Sequence, residues 1–267
     1  RYTDLELVLS DNGSTDATRE ICLEAVAQDT RVRYFRSEVN RGLAWNFNNA
    51  FQQARGRFLV WLGHDDLLGP HFLTECLAAL ERDPQCVVCF TNTNYIDAEG
   101  NLIQGADLQN SGAAPGAAER FRDVLYDGKC DPICGLMRTD VLRQTRLHGR
   151  YADSDRVLLG EMALRGRFAK VPRHLFSRRS HGAQTSAAKD RWARTLIFDP
   201  GAAGKAICPW WREFFALVAA IRRSPLTLRE KWQALKYFYW WSSHHKEYLY
   251  RDLQRGLKSV TERILSR

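Results

Sequence analysis

Short apolar runs and runs of helical period alternate through the first two thirds of the chain. Leu5 to Leu9 is a β-rich run that breaks at the polar turn Ser10-Asp11-Asn12-Gly13-Ser14, after which Thr15 or Asp16 can cap a helix reaching about Gln28. Val32 to Phe35 reads as the next strand. Leu43, Phe47, Ala50, Phe51 and Ala54 then recur at helical spacing until Gly56. Phe58 to Leu62 is a buried type of strand that runs into His64-Asp65-Asp66, and Pro70 suits the first turn of a helix ending near Arg82. Cys86 to Thr93 is a further strand, followed by a turn over 97–101. The alternation predicts an α/β fold, a mostly parallel sheet with helices on its faces. Gln104 to Glu119, rich in Gly, Ala and Ser, reads as a loop, either a lid or an acceptor-side insertion. From Ser186 strands cease. Amphipathic helical patterns cover 188–198, 209–223, 227–245 and 248–266, which divides the chain into residues 1–185, α/β, and 186–267, a helical appendage.

Composition sharpens that division. At 267 residues, 45% hydrophobic and 26% charged, the chain has the makings of a folded globular protein rather than a disordered one. No apolar run approaches the roughly 20 residues that span a bilayer, and no secretory signal opens the sequence. These features set the expectation of a cytoplasmic protein, at most resting on the inner face of a membrane. Residues 186–267 hold 16 Lys and Arg against 7 Asp and Glu, so this segment carries +9 and the rest −1 of the total +8. Six of the eight tryptophans also lie there: Trp192, Trp210, Trp211, Trp232, Trp240 and Trp241. Such rings among cations either rest on anionic lipid or pack the helices onto the rest of the chain or a second copy in a homodimer. Nucleic acid is not an expected partner, because no recognised module accompanies the charge. The seven cysteines suggest no disulfide framework. Cys86 and Cys89, three apart on one strand, would face opposite ways and share no metal.

Three acidic stretches could carry chemistry. Asp11-Asn12-Gly13-Ser14-Thr15-Asp16 is a common turn sequence, yet it directly follows a hydrophobic strand and precedes a helix. A carboxylate there can accept hydrogen bonds from a base or ribose while helix-end amides face an anion. His64-Asp65-Asp66 is either a solvated turn of capping acids or a pair of carboxylates awaiting a hard cation such as Mg²⁺ or Mn²⁺, which keeps sites for substrate phosphates. Asp153-Ser154-Asp155 either caps a helix and complements its dipole or supplies a general base.

The order Asp-Asn-Gly-Ser-Thr-Asp, Asn40-Arg41-Gly42-Leu43-Ala44-x-x-x-Asn48, then strand plus His64-Asp65-Asp66 resembles a glycosyltransferase of family 2 over roughly residues 3–182. The resemblance implies the GT-A fold, a mixed Rossmann-like sheet flanked by helices, and a bacterial enzyme of cell-surface polysaccharide or glycolipid synthesis. Its donor would be a nucleotide-diphosphate sugar used with Mn²⁺ or Mg²⁺, its acceptor an unidentified hydroxyl. By the same resemblance Asp11 contacts the base, with Asn12 beside it and Asp16 supporting the turn. Asn40, Arg41 and Gly42 line the nucleotide side, Asp65 addresses ribose or donor sugar, and Asp66 ligates metal. His181 could complete the metal shell, the role of His64 stays open, and Arg178 and Arg179 offset diphosphate charge. Asp155 is the expected base, with Ser154 standing where the family usually carries Glu. Family members normally begin with one further strand and helix, so the sequence reads as N-terminally incomplete. Two other readings compete: a catalytically degenerate binding or scaffold subunit, and a nucleotidyltransferase. The latter would want a Gly-rich, Lys-bearing phosphate loop that is not visible.

Overall fold

The structure is a computed structural model that describes residues 2–265 apart from Asn110, Lys129, Ala183 and 185–189. The expected boundary at residue 186 therefore lies outside the described residues. The elements follow the order β1 (Leu7–Asp11), α1 (Thr18–Gln28), β2 (Val32–Arg36), α2 (Leu43–Gln53), β3 (Phe58–Leu59), β4 (Leu67–Leu68), α3 (Phe72–Arg82), β5 (Cys86–Ile96) and β6 (Leu102–Ala106). They continue with α4 (Ala117–Tyr126), a 3₁₀ turn (Asp131–Cys134), β7 (Leu136–Arg138), α5 (Thr139–Leu142), α6 (Ser154–Ala163) and β8 (Arg167–Arg179). The C-terminal helices are α7 (Arg191–Phe198), α8 (Pro209–Arg223), α9 (Leu228–His244) and α10 (Lys246–Leu265).

The sheet is mixed rather than mostly parallel. β1 and β2 pair in parallel, and a second sheet runs β3-β7-β5-β8-β4 with β6 added against β5. Only β5 with β8 is parallel there, while β7, β6 and β4 pair antiparallel with their neighbours. Strand–helix alternation misled because β4 and β7 are two- and three-residue strands reached from loops, not through helical crossovers. β6 is a second departure. The turn at 97–101 closes on Asp97, whose carboxylate accepts the Asn101 N–H at 2.7 Å, and the chain returns as a strand where the sequence suggested a loop.

Two long central strands carry the core. β5 is buried over its first eight residues because helices cover both faces. One face meets α6 through Val88, Phe90, Leu158 and Met162. The other meets α3 through Phe72, Cys76 and Leu80. Cys86 and Cys89 both join this second cluster, contrary to simple alternation, and the register shift between Cys86 and Val88 in the β5–β8 pairing accounts for it. By contrast α1 buries none of its residues, and Ile21 and Leu23 stay exposed. The C-terminal helices are packed on α4 and α6: Leu217, Ile221, Phe238 and Trp241 share one buried cluster with Phe121, Leu125 and Val157.

Candidate active site

The site is assembled at the strand ends by pairing that no local pattern contains. β4 lies antiparallel to the end of β8, Leu67 opposite Ser177, which brings Asp65 and Asp66 against Arg179 and His181. The Arg179 N–H donates to Asp66 Oδ1 at 3.0 Å, and His181 Nε2 meets Asp65 Oδ2 at 2.9 Å. A methyl group on Gly63 would sit 2.9 Å from Asp65 Oδ1 and 3.1 Å from Asp66 Oδ2. Two carboxylate oxygens thus converge over a backbone that has no side chain in the way. Partial burial is the largest influence and works against ionised Asp65, but the His181 hydrogen bond, a backbone N–H and the nearby His64 and His181 together outweigh it and hold the carboxyl below its ordinary range. Burial pushes Asp66 up, and the neighbouring Asp65 charge adds to this against the Arg179 N–H. A divalent cation would relieve that repulsion. Hard oxygen donors suit Mg²⁺ or Mn²⁺, and no group of three or more His, Cys, Asp or Glu stands ready for a metal among the described residues. Exposed His64 lies within electrostatic reach of both acids.

The arginines are committed elsewhere. Arg179 donates to the carbonyls of Asp65, Asp97 and Ala98 and so ties the acid corner to the β5–β6 turn. Arg178 pairs with the buried Asp131 at 2.7 Å.

The nucleotide-side residues form a braced turn. Asp11 faces inward: Ser14 N–H donates to Oδ1 at 2.8 Å, and the Tyr34 hydroxyl and Arg36 reach Oδ2 at 2.6 and 3.2 Å. Asn12 donates to Asn40 and accepts from the Arg41 N–H, while Asn40 also accepts from the Gly42 N–H. Gly13 takes φ +79°, and a Cβ there would strike the Val39 backbone at 2.8 Å. Gly42 takes φ +91° and meets a second demand for glycine that the sequence did not disclose: Phe198, the last residue of α7, and Pro200 approach so closely that a Cβ would lie 2.3 Å from the Phe198 carbonyl. Arg41 is exposed over the Trp45 ring, and Asp16 is exposed and holds Thr18 at the start of α1.

Asp155 stands in the first turn of α6. Burial, then the charge of Asp153, raises its carboxyl above the ordinary range, and its Oδ1 accepts the Arg156 N–H. Ser154 is fully buried. What holds this helix start comes from far along the chain. Asp153, at φ +64°, pairs with Arg191 at 2.9 Å and Arg194 at 3.1 Å of α7. Glu213 of α8, wholly buried, takes Arg156 at 3.0 Å and also Arg191. The loop before α6 is pinned by Asn48, which exchanges two hydrogen bonds with the His148 backbone, while the His148 ring lies 4.9 Å from Phe47 and 5.0 Å from Trp61.

Sequence reasoning missed Asp131, Glu213, Arg191 and His148. Glu213 had a signal, a lone acid inside the apolar stretch Trp210 to Ile221, which implies a buried partner. The turn Asp131–Cys134 joins the two acidic regions. Burial raises the thiols at both of its ends; beyond burial, Cys130 feels Asp155, while Cys134 feels Arg178 and Asp66.

Against this geometry stands a match to the model of glycosyl transferase family 2 over residues 1–144, more than half of the chain. The chain belongs to glycosyl transferase family 2. Among its relatives, the chondroitin synthase of Escherichia coli is 39% identical over 101 residues, 38% of this chain and 15% of that protein. A putative glycosyltransferase, EpsH, of Bacillus subtilis is 24% identical over 178 residues, 67% of this chain and 47% of that protein. The chain thus spans less than half the length of either relative. Staphylococcus aureus TarS in complex with UDP-GlcNAc superposes with a TM-score of 0.67 at 16% identity, covering 97% of this chain and 73% of that one. This likeness places family 2's GT-A fold on the chain.

Proposed function

We propose that this family 2 chain transfers a sugar from a uridine-diphosphate donor to an acceptor hydroxyl, with inversion at the anomeric carbon. The observation that carries the reading is the Asp131–Cys134 turn, with Asp66 within electrostatic reach of Cys134 at one end, Asp155 within reach of Cys130 at the other, and Arg178 spanning it by contacts to Asp131 and Cys134. A donor diphosphate at the first end and an acceptor at the second would meet along this turn. The acceptor oxygen attacks the anomeric carbon, the bond to the diphosphate oxygen breaks, and the acceptor proton passes to Asp155. Its raised proton affinity suits that task, which is worth about 10² to 10⁴ in rate. UDP is named because the TarS neighbours are complexes with UDP and UDP-GlcNAc. A cell-surface polysaccharide or glycolipid acceptor is supported by relatives named chondroitin synthase and O-antigen biosynthesis protein.

Asp66, with Asp65 beside it, would hold a divalent ion whose remaining ligands come from the diphosphate. Bound there, the ion would supply charge neutralisation to the departing nucleotide. His181 keeps Asp65 ionised and oriented. The Asn12–Asn40 brace holds the loop facing the nucleotide, and Asp11 orders the turn from inside. Titration calorimetry with UDP, in Mn²⁺ and in EDTA, tests the reading. Binding is expected in Mn²⁺, and both EDTA and Asp66→Asn should abolish it. Absence of UDP binding in either buffer would refute the donor assignment.

A further inference from the structure

α9 has two faces of unlike use. Ala234, Phe238 and Trp241 point into the cluster shared with α4, α6 and α8. Leu228, Trp232, Leu235 and Tyr239, spaced four, three and four residues apart, form one stripe on the opposite side. Leu228 is 84% exposed, Trp232 74% and Tyr239 64%. A solvated helix face would carry polar residues there, and a contiguous apolar stripe marks a contact surface.

We propose that the outer face of α9 seats in the headgroup layer of a membrane rich in anionic lipid, the helix lying in the membrane plane. Charge selects this occupant. Exposed Arg229 and Lys236 lie on α9 with the stripe, Lys231 donates to the Arg222 carbonyl, and the helix's one acid, Glu230, is engaged in the capping box with Thr227. Trp and Tyr with cations beside them are the side chains that a headgroup layer accepts. A second copy across a two-fold axis would set these cations against their own counterparts with no free acid between them. α10 gives the contrast. Its exposed Tyr250, Leu253 and Leu257 lie on a helix whose five Lys and Arg are interspersed with Glu247, Asp252 and Glu262, so its apolar residues are not flanked by cations alone. Among the described residues no helix is long and apolar enough to cross a membrane, so the contact would be peripheral.

Co-sedimentation of the chain with vesicles tests this, comparing phosphatidylcholine alone with phosphatidylcholine containing about one third phosphatidylglycerol. Binding is expected only to the anionic vesicles, weakened by salt. The pair Trp232→Glu and Tyr239→Glu should reduce it by about tenfold or more, whereas Leu253→Ser should not change it. Should that pair disturb folding, Arg229→Gln with Lys236→Gln carries the same test through charge alone. UDP affinity should be untouched by all of these, which separates this surface from the donor site. Equal binding to both vesicle types, or none, would overturn the proposal. So would a dimer in sedimentation equilibrium that the Trp232→Glu and Tyr239→Glu pair dissolves, since that result gives the face to a second copy.

Discussion

The two acidic corners of the site are built in opposite ways. Asp65 and Asp66 follow an apolar run, and their carboxylates are held by Arg179 and His181, at and just past the end of a single neighbouring strand. Asp155 is held indirectly, through a left-handed Asp153 and a half-buried Arg156 whose counter-charges belong to α7 and α8. The first corner is the turn that leads into the short strand β4; the second is a joint between the α/β layers and the C-terminal helices. The difference teaches that residues past 190 hold the helix start that carries Asp155, although the family match ends at residue 144.

The sharpest separation of the corners is chemical. Asp155→Asn should lower transfer by about 10² to 10⁴ while leaving UDP affinity intact, measured by turnover beside calorimetry. Loss of both together would show that Asp155 belongs to the donor corner as well. The next test attacks the joint. Glu213→Gln leaves the Arg156 and Arg191 guanidinium groups without their shared counter-charge in a buried setting, which should cost about 3 to 5 kcal/mol in urea unfolding. Turnover should fall further than UDP affinity; an equal fall in both would break the distinction between the corners.

The third test addresses what lies between them. The His148 ring is wedged beside Trp61, which leads to Asp65 and Asp66, in the loop that leads to Asp155, and burial lowers its pKa to about 4 from 6.5. Because the folded value is depressed, the unfolded chain binds the proton more readily. Stability from this group is complete above about pH 6.5 and is lost as pH falls toward 4. The full loss would be up to about 3 kcal/mol. Urea midpoints at pH 7 and pH 4.5 should show the drop, and His148→Phe should flatten this part of it.

Much of the donor corner was legible because its cues are local. Asp11-Asn12-Gly13 announces a tight turn whose left-handed glycine the structure contains, whereas the strand expected over Phe58 to Leu62 is paired only at Phe58–Leu59, and Asp65 and Asp66 lie in the turn before β4. Asp155 was legible as a helix-start acid for the same reason. What escaped notice depends on separation. Glu213 meets Arg156 across 57 residues and Asn48 meets His148 across 100, distances over which no spacing rule operates. The return strand Leu102–Ala106 escaped because Gln104-Gly105-Ala106 carry little strand signal after only two apolar residues, until β5 offers an edge. The Cys86 and Cys89 faces were misjudged because a register shift cannot be seen in a single strand.

By itself the sequence determined the order of strands and helices from β1 to α2, the turn after Asp11, the helix start at Asp155 and the basic, tryptophan-rich helices after residue 190. Periodicity, capping and turn chemistry act over a few residues, so a linear reading reaches them. Tertiary structure alone decided the mixed sheet order, the His181–Asp65 contact, the close approach that requires Gly42, and which tryptophans are buried. Trp241 is enclosed and Trp232 is not, though they lie nine residues apart on one helix. Burial depends on what another part of the chain brings to that face, and packing of that kind exists only once the chain has closed on itself.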